Sequence, residues 1–139
     1  MIIDKLYDDV AKKGNVCVGL DTALEYIPKH VLNSHENIED AVFEFNKTII
    51  DSTYDIAACY KVQIAFYEAQ GIKGLIAYKR TLEYIRKKKS IVIADIKRGD
   101  ISSTAKMYAK AHFEGDFESD FITLNPYMGF DSITPYLDY

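Results

Sequence analysis

Two rhythms of apolar residues alternate along the chain. Residues 4–13 carry theirs at helical spacing and stop at Gly14, which suits the left-handed position just past a helix. Residues 16–20 form a compact apolar run ending on Asp21, as a buried strand does when its last side chain points into a site. A loop containing Pro28 follows. Residues 38–50 then repeat apolar positions three and four apart, the pattern of one face of a long helix. Residues 56–64 read as a second strand and residues 71–88 as another amphipathic helix. Residues 90–94 contain the β-branched run Ile91, Val92, Ile93 and read as a third, buried strand that leads into Asp95-Ile-Lys-Arg-Gly-Asp100. Residues 104–113 are helical again, and residues 121–124 are a fourth strand followed by Asn125-Pro126.

Strands alternating with helices of ten or more residues specify a parallel α/β arrangement with right-handed crossovers. Four such units are about half of a (β/α)8 TIM-type barrel, which typically takes ~250 residues. An open four-stranded sheet is the alternative, but polar residues gather at the carboxyl ends of all four strands, where a barrel collects its site. Residues 1–139 are therefore expected to form a single domain, the N-terminal part of a barrel truncated at its C-terminal side, with residues 131–139 able to begin another helix. The outer strands of such a unit present unpaired edges.

Composition narrows the function classes. The 139 residues are 48% hydrophobic and 27% charged, with a net charge of -4 and both signs interspersed, which argues against general affinity for nucleic acid or acidic lipid. The basic run at residues 86–89 is a solvated helix end, with cations at the negative end of the dipole. No run approaches the roughly 18 apolar residues of a membrane helix, and no secretory signal opens the chain, so a cytoplasmic protein is expected. Cys17 and Cys59 lie in separate apolar runs and read as small buried residues of a reducing compartment. His30, His35 and His112 lack metal-ligand spacing.

The densest polar cluster is residues 95–100. Alternation along a strand sends Asp95 and Lys97 to one face and Ile96 to the other, so a carboxylate and an ammonium meet at the sheet's carboxyl end. Asp100 lies in the turn past Gly99. Lys61 sits near the end of its own apolar strand, where a lysine needs a carboxylate partner. Burying two lysines and two or three carboxylates together is costly, which makes a purely structural role a poor explanation.

Asp95-x-Lys97-x-x-Asp100-Ile101, followed by Thr104, resembles the signature of the orotidine 5′-phosphate decarboxylases, which make UMP and CO2 from orotidine 5′-monophosphate in pyrimidine biosynthesis. Val18-Gly-Leu-Asp21 resembles that family's first strand, residues 60–68 its second, and Thr123-Leu-Asn-Pro-Tyr-Met-Gly129 its fourth, in the style of the longer bacterial form. The resemblance implies a cofactor-free, metal-free homodimer in which Lys61, Asp95, Lys97 and Asp100 form an alternating charge network, Asp100 being supplied by the other subunit. It implies that Lys97 stabilises and protonates the carbanion at C6, that Asp21 and Lys61 contact ribose hydroxyls, and that Thr104 and Ile101 reach the partner's site. Asn125 is carried over as a substrate-binding residue. The family's phosphate-binding residues come from later strands, so residues 1–139 alone are expected to be nearly inactive. The short D-x-K-x-x-D motif also occurs in magnesium-dependent sugar-phosphate decarboxylases and aldolases, the second reading; an inactive half-barrel or interaction module is the third.

Overall fold

The structure, a computed structural model, describes residues 1–139. Four parallel strands, β1 (Val16–Gly19), β2 (Ala57–Gln63), β3 (Ile91–Arg98) and β4 (Phe121–Leu124), pair in chain order. Such a singly wound order is that of a barrel; a doubly wound sheet reverses direction partway. Helix α1 (Ile2–Lys13) precedes β1, the short α2 (Lys29–Asn33) and long α3 (Ile38–Thr53) join β1 to β2, and α4 (Ile64–Glu68) and α5 (Gly71–Lys87) join β2 to β3. Helix α6 (Ser102–Phe113) leads to β4.

The core lies between one face of the sheet and the helices. Helix α3 buries Ala41, Val42, Asn46 and Ile50, and α5 buries Gly74, Ala77, Tyr78, Thr81, Leu82 and Ile85, both at the helical repeat that places these residues on one stripe. They meet Tyr60, Val62, Val92, Ala94 and Ile96 from the strands. Strand β2 is buried along its length except at Lys61 and Gln63, so its polarity is confined to the carboxyl end of the other face.

Within this apolar layer runs a fully buried polar network. The Tyr67 hydroxyl donates to the Leu20 carbonyl at 2.9 Å, and the Asn46 amide nitrogen donates to Tyr67 at 2.9 Å and to the Thr81 hydroxyl at 3.0 Å. The Thr22 hydroxyl donates to the Asn46 amide oxygen at 2.6 Å. These bonds tie both neighbours of Asp21 to α3, α4 and α5, so the end of β1 is fixed from outside the sheet.

Several expectations need correction. Cys59 is buried, and burial pushes its thiol up to about 12, but Cys17 is exposed because it lies on an edge strand with a neighbour on one side only. Residue Ile64 begins α4 and does not end β2, and β3 runs on to Arg98. Residues 131–139 form no α-helix: two 3-10 turns, Phe130–Ser132 and Thr134–Tyr136, stand there. The Ser132 and Thr134 hydroxyls bond back to the Gly129 and Phe130 carbonyls at 2.6 and 3.0 Å, which competes with helix continuation.

Two buried tyrosines give a contrasting pair. Tyr67 is bonded, whereas the Tyr78 hydroxyl is buried without a partner. In urea unfolding, Tyr67→Phe is expected to cost about 1–3 kcal/mol, and Tyr78→Phe to be neutral or stabilising by up to about 1 kcal/mol. A marked loss in Tyr78→Phe would contradict this assignment.

Candidate active site

The site grows from the register of β2 and β3. Gln63 pairs directly with Asp95, and Lys61, two residues earlier, lies on the same face. Both side chains reach Asp95: Lys61 Nζ and Gln63 Nε2 each donate to its Oδ2 at 2.8 Å. Its Oδ1 accepts from Lys97 Nζ at 2.5 Å and from the Thr123 hydroxyl at 2.7 Å. The Asp95 side chain is only 6% exposed, and four donors, two of them cationic, offset the loss of water. Burial works against its ionised form, but donation from Lys61, Lys97 and Thr123 prevails and holds the carboxyl down at about 2.

Lys61 also faces Asp21, whose Oδ1 lies 3.7 Å from Nζ. Bonding to Asp95 raises the Lys61 pKa, against the opposing effect of burial and with the charge of Asp21 adding to it. The cluster is therefore one buried carboxylate between two ammonium groups, with a second carboxylate beyond Lys61. Side-chain exposures of 64% for Lys97, 43% for Asp21 and 35% for Lys61 correct the expectation of several buried ions. Long lysine side chains lie over the sheet and leave their heads accessible.

Strand β3 departs from regular pairing at this point. Ala94 pairs with Ile122, but the next pair is Arg98 with Leu124, so β3 holds two extra residues. Lys97 lies there at φ +46, a left-handed conformation that L residues avoid. The Thr123 hydroxyl accepts the backbone N–H groups of Ile96 at 3.0 Å and Lys97 at 3.1 Å. Arg98 turns away from the cluster, donating to Glu68 at 2.9 Å and lying over the Tyr108 ring.

Asp21, Lys61, Asp95 and Lys97 are thus brought together, whereas Asp100, Ile101, Thr104 and Asn125 stand apart. The Asp100 carboxylate accepts the Ile101 N–H at 2.8 Å, Ile101 is exposed at the start of α6, and Thr104 lies in that helix's first turn. The Asn125 N–H donates to the Arg98 carbonyl at 2.8 Å and its side chain accepts from Tyr127 N–H at 3.0 Å. Gly99 packs flat against Asn125, where a Cβ would come within 2.7 Å of the Asn125 carbonyl oxygen. Gln63 and Thr123 were not singled out in the sequence, although alternation from Lys61 and the fourth-strand motif pointed to both. No three His, Cys, Asp or Glu side chains converge as a metal site requires, and no helix is long and apolar enough to cross a membrane.

Sequentially paired parallel strands with charged side chains gathered at their carboxyl ends define a (β/α)8-barrel architecture, of which this chain forms about half. Residues 14–139 match the family model described as Orotidine 5'-phosphate decarboxylase / HUMPS family, and the chain belongs to that family. It is 76% identical over 139 residues to the orotidine 5′-phosphate decarboxylase of Clostridium botulinum strain Hall and 74% identical to that of Clostridium kluyveri. All of this chain is covered in both matches, but 49% and 48% of the relatives, so the chain spans about half the length of the curated relatives it matches. Among solved structures, Leishmania donovani OMP decarboxylase superposes with a TM-score of 0.79 at 32% identity, covering 99% of this chain and 49% of that one. The Plasmodium berghei orotidine 5′-monophosphate decarboxylase gives 0.82 at 26% identity, covering 98% and 56%.

The depressed Asp95 pKa has a definite sign in stability. The carboxylate stabilises the fold fully above its ordinary value of 3.8, and that contribution is lost as pH falls towards about 2. Melts of the wild type and Asp95→Asn are expected to differ by roughly 2 kcal/mol from this source above pH 4, converging at lower pH. A difference independent of pH would contradict the ion-pair assignment.

Proposed function

We propose that the natural full-length polypeptide decarboxylates orotidine 5′-monophosphate to UMP and CO2. The observation that carries this reading is the buried Asp95 carboxylate held between Lys61 and Lys97, in a chain 76% identical to a protein of that activity. Breaking the bond from C6 of the pyrimidine to its carboxyl group releases CO2 and leaves an electron pair on C6. Lys97 provides a fixed ammonium at that carbon, stabilises the developing charge, donates its proton to C6 and regains one from solvent. Asp95 holds Lys97 and, with Asp100, flanks the departing carboxylate. Asp21 and Lys61 bind the ribose hydroxyls, and Asn125 contacts substrate. The chemistry uses no metal or organic cofactor.

The same reading makes the enzyme a cytoplasmic homodimer in which Asp100, Ile101 and Thr104 serve the partner's site. Two observations support the homodimer: the Asp100 carboxylate does not engage Lys97 of its own chain, and the large apolar side chains of Ile101, Tyr127 and Phe130, in the segments that follow β3 and β4, are each exposed.

Turnover is read as loss of orotidine 5′-phosphate absorbance with the full-length polypeptide. Activity that survives EDTA and disappears in Lys97→Ala is expected; abolition by EDTA favours a magnesium-dependent sugar-phosphate decarboxylase or aldolase. Mixing and re-forming dimers of inactive Lys97→Ala and Asp100→Ala chains is expected to restore about a quarter of wild-type activity, since half the dimers are mixed and each carries one intact site. No recovery would mean that each subunit completes its own site.

A further inference from the structure

We infer that Thr123 is the positioning residue that sets the Lys97 ammonium, by clamping the two-residue bulge of β3 through its hydroxyl. A hydroxyl has one proton and two lone pairs, and Thr123 uses all three: it donates to Asp95 Oδ1 at 2.7 Å and accepts from Ile96 N–H at 3.0 Å and Lys97 N–H at 3.1 Å. These two amides belong to the stretch that the bulge removes from backbone pairing, between the pairs Ala94 with Ile122 and Arg98 with Leu124. The side-chain oxygen of β4 stands in for the missing ladder acceptors. One atom therefore fixes the backbone on which Lys97 is mounted, at φ +46, and the carboxylate to which its Nζ is paired. Gln63, by contrast, touches the Asp95 carboxylate and not the bulge backbone.

The consequence is geometric. Without the hydroxyl, Asp95 loses a neutral donor, the two amides lose their acceptor, and the bulge is free to relax out of the left-handed conformation, moving the lysine relative to a bound substrate. Substrate binding through other groups is spared. The kinetic side of this inference rests on the decarboxylase reading of the site; the backbone side does not.

The test compares Thr123→Val, which keeps shape and removes the hydroxyl, with Thr123→Ser, which keeps the hydroxyl, in the natural full-length polypeptide. Thr123→Val is expected to lower kcat about 10- to 100-fold with KM within about threefold, and Thr123→Ser to stay near wild type. Amide hydrogen exchange is expected to show protection of Ile96 and Lys97 lost in Thr123→Val and retained in Thr123→Ser. Wild-type kcat in Thr123→Val, a change confined to KM, equal damage in both variants, or unaltered protection would each overturn the inference. Should Thr123→Val not fold, Thr123→Ala supplies the comparison. If the wild type itself does not decarboxylate orotidine 5′-phosphate, the decarboxylase reading fails, and the exchange result alone decides the role of Thr123.

Discussion

One carboxylate organises the carboxyl end of this sheet. Asp95 is nearly inaccessible, and an isolated charge there would be untenable; it persists because Lys61, Gln63, Lys97 and Thr123 converge on its two oxygens. Those donors come from three neighbouring strands, so the requirement to satisfy one anion fixes β2, β3 and β4 relative to one another. Lys61 extends the tie to β1 through Asp21. Electrostatics and topology thus support each other: parallel pairing in chain order brings the donors together, and their charge pairing rewards that alignment.

The opposite face of the sheet makes this possible. Ile96 points into the core between two polar neighbours, and α3 and α5 pack over β2 and β3. The buried network of Asn46, Thr22, Tyr67 and Thr81 holds Leu20 and Thr22 on either side of Asp21. A rigid outer layer therefore carries a polar inner face whose lysines keep access to solvent. Within the charged cluster, local backbone strain falls on the bulge at Lys97.

The four strands and long helices were legible because their burial writes a strong period into the sequence: β4 matched its apolar run, and α5 differed by one residue at its end. Elements of one turn were not. Helices α2 and α4, five residues each, are too short to show a repeat, and the turns after Gly129 depend on hydroxyl-to-carbonyl bonds that leave no hydrophobic pattern. The charged core of the site, Asp21, Lys61, Asp95 and Lys97, was readable from alternation and from motif resemblance. Its supports were less so: Gln63 and Thr123 matter through the register of β2 against β3 and the bulge against β4, both properties of strand pairing. The exposure of Cys17 likewise depends on which strand lies at the edge.

The most direct measurement of the central interaction is the carboxyl carbon shift of Asp95, followed by NMR from neutral pH downwards and assigned by its loss in Asp95→Asn. A carboxylate held by Lys61, Lys97 and Thr123 remains ionised until about pH 2. Titration at the ordinary value near 3.8 would mean that these donors do not engage Asp95, and the charge network on which the site is built would not exist.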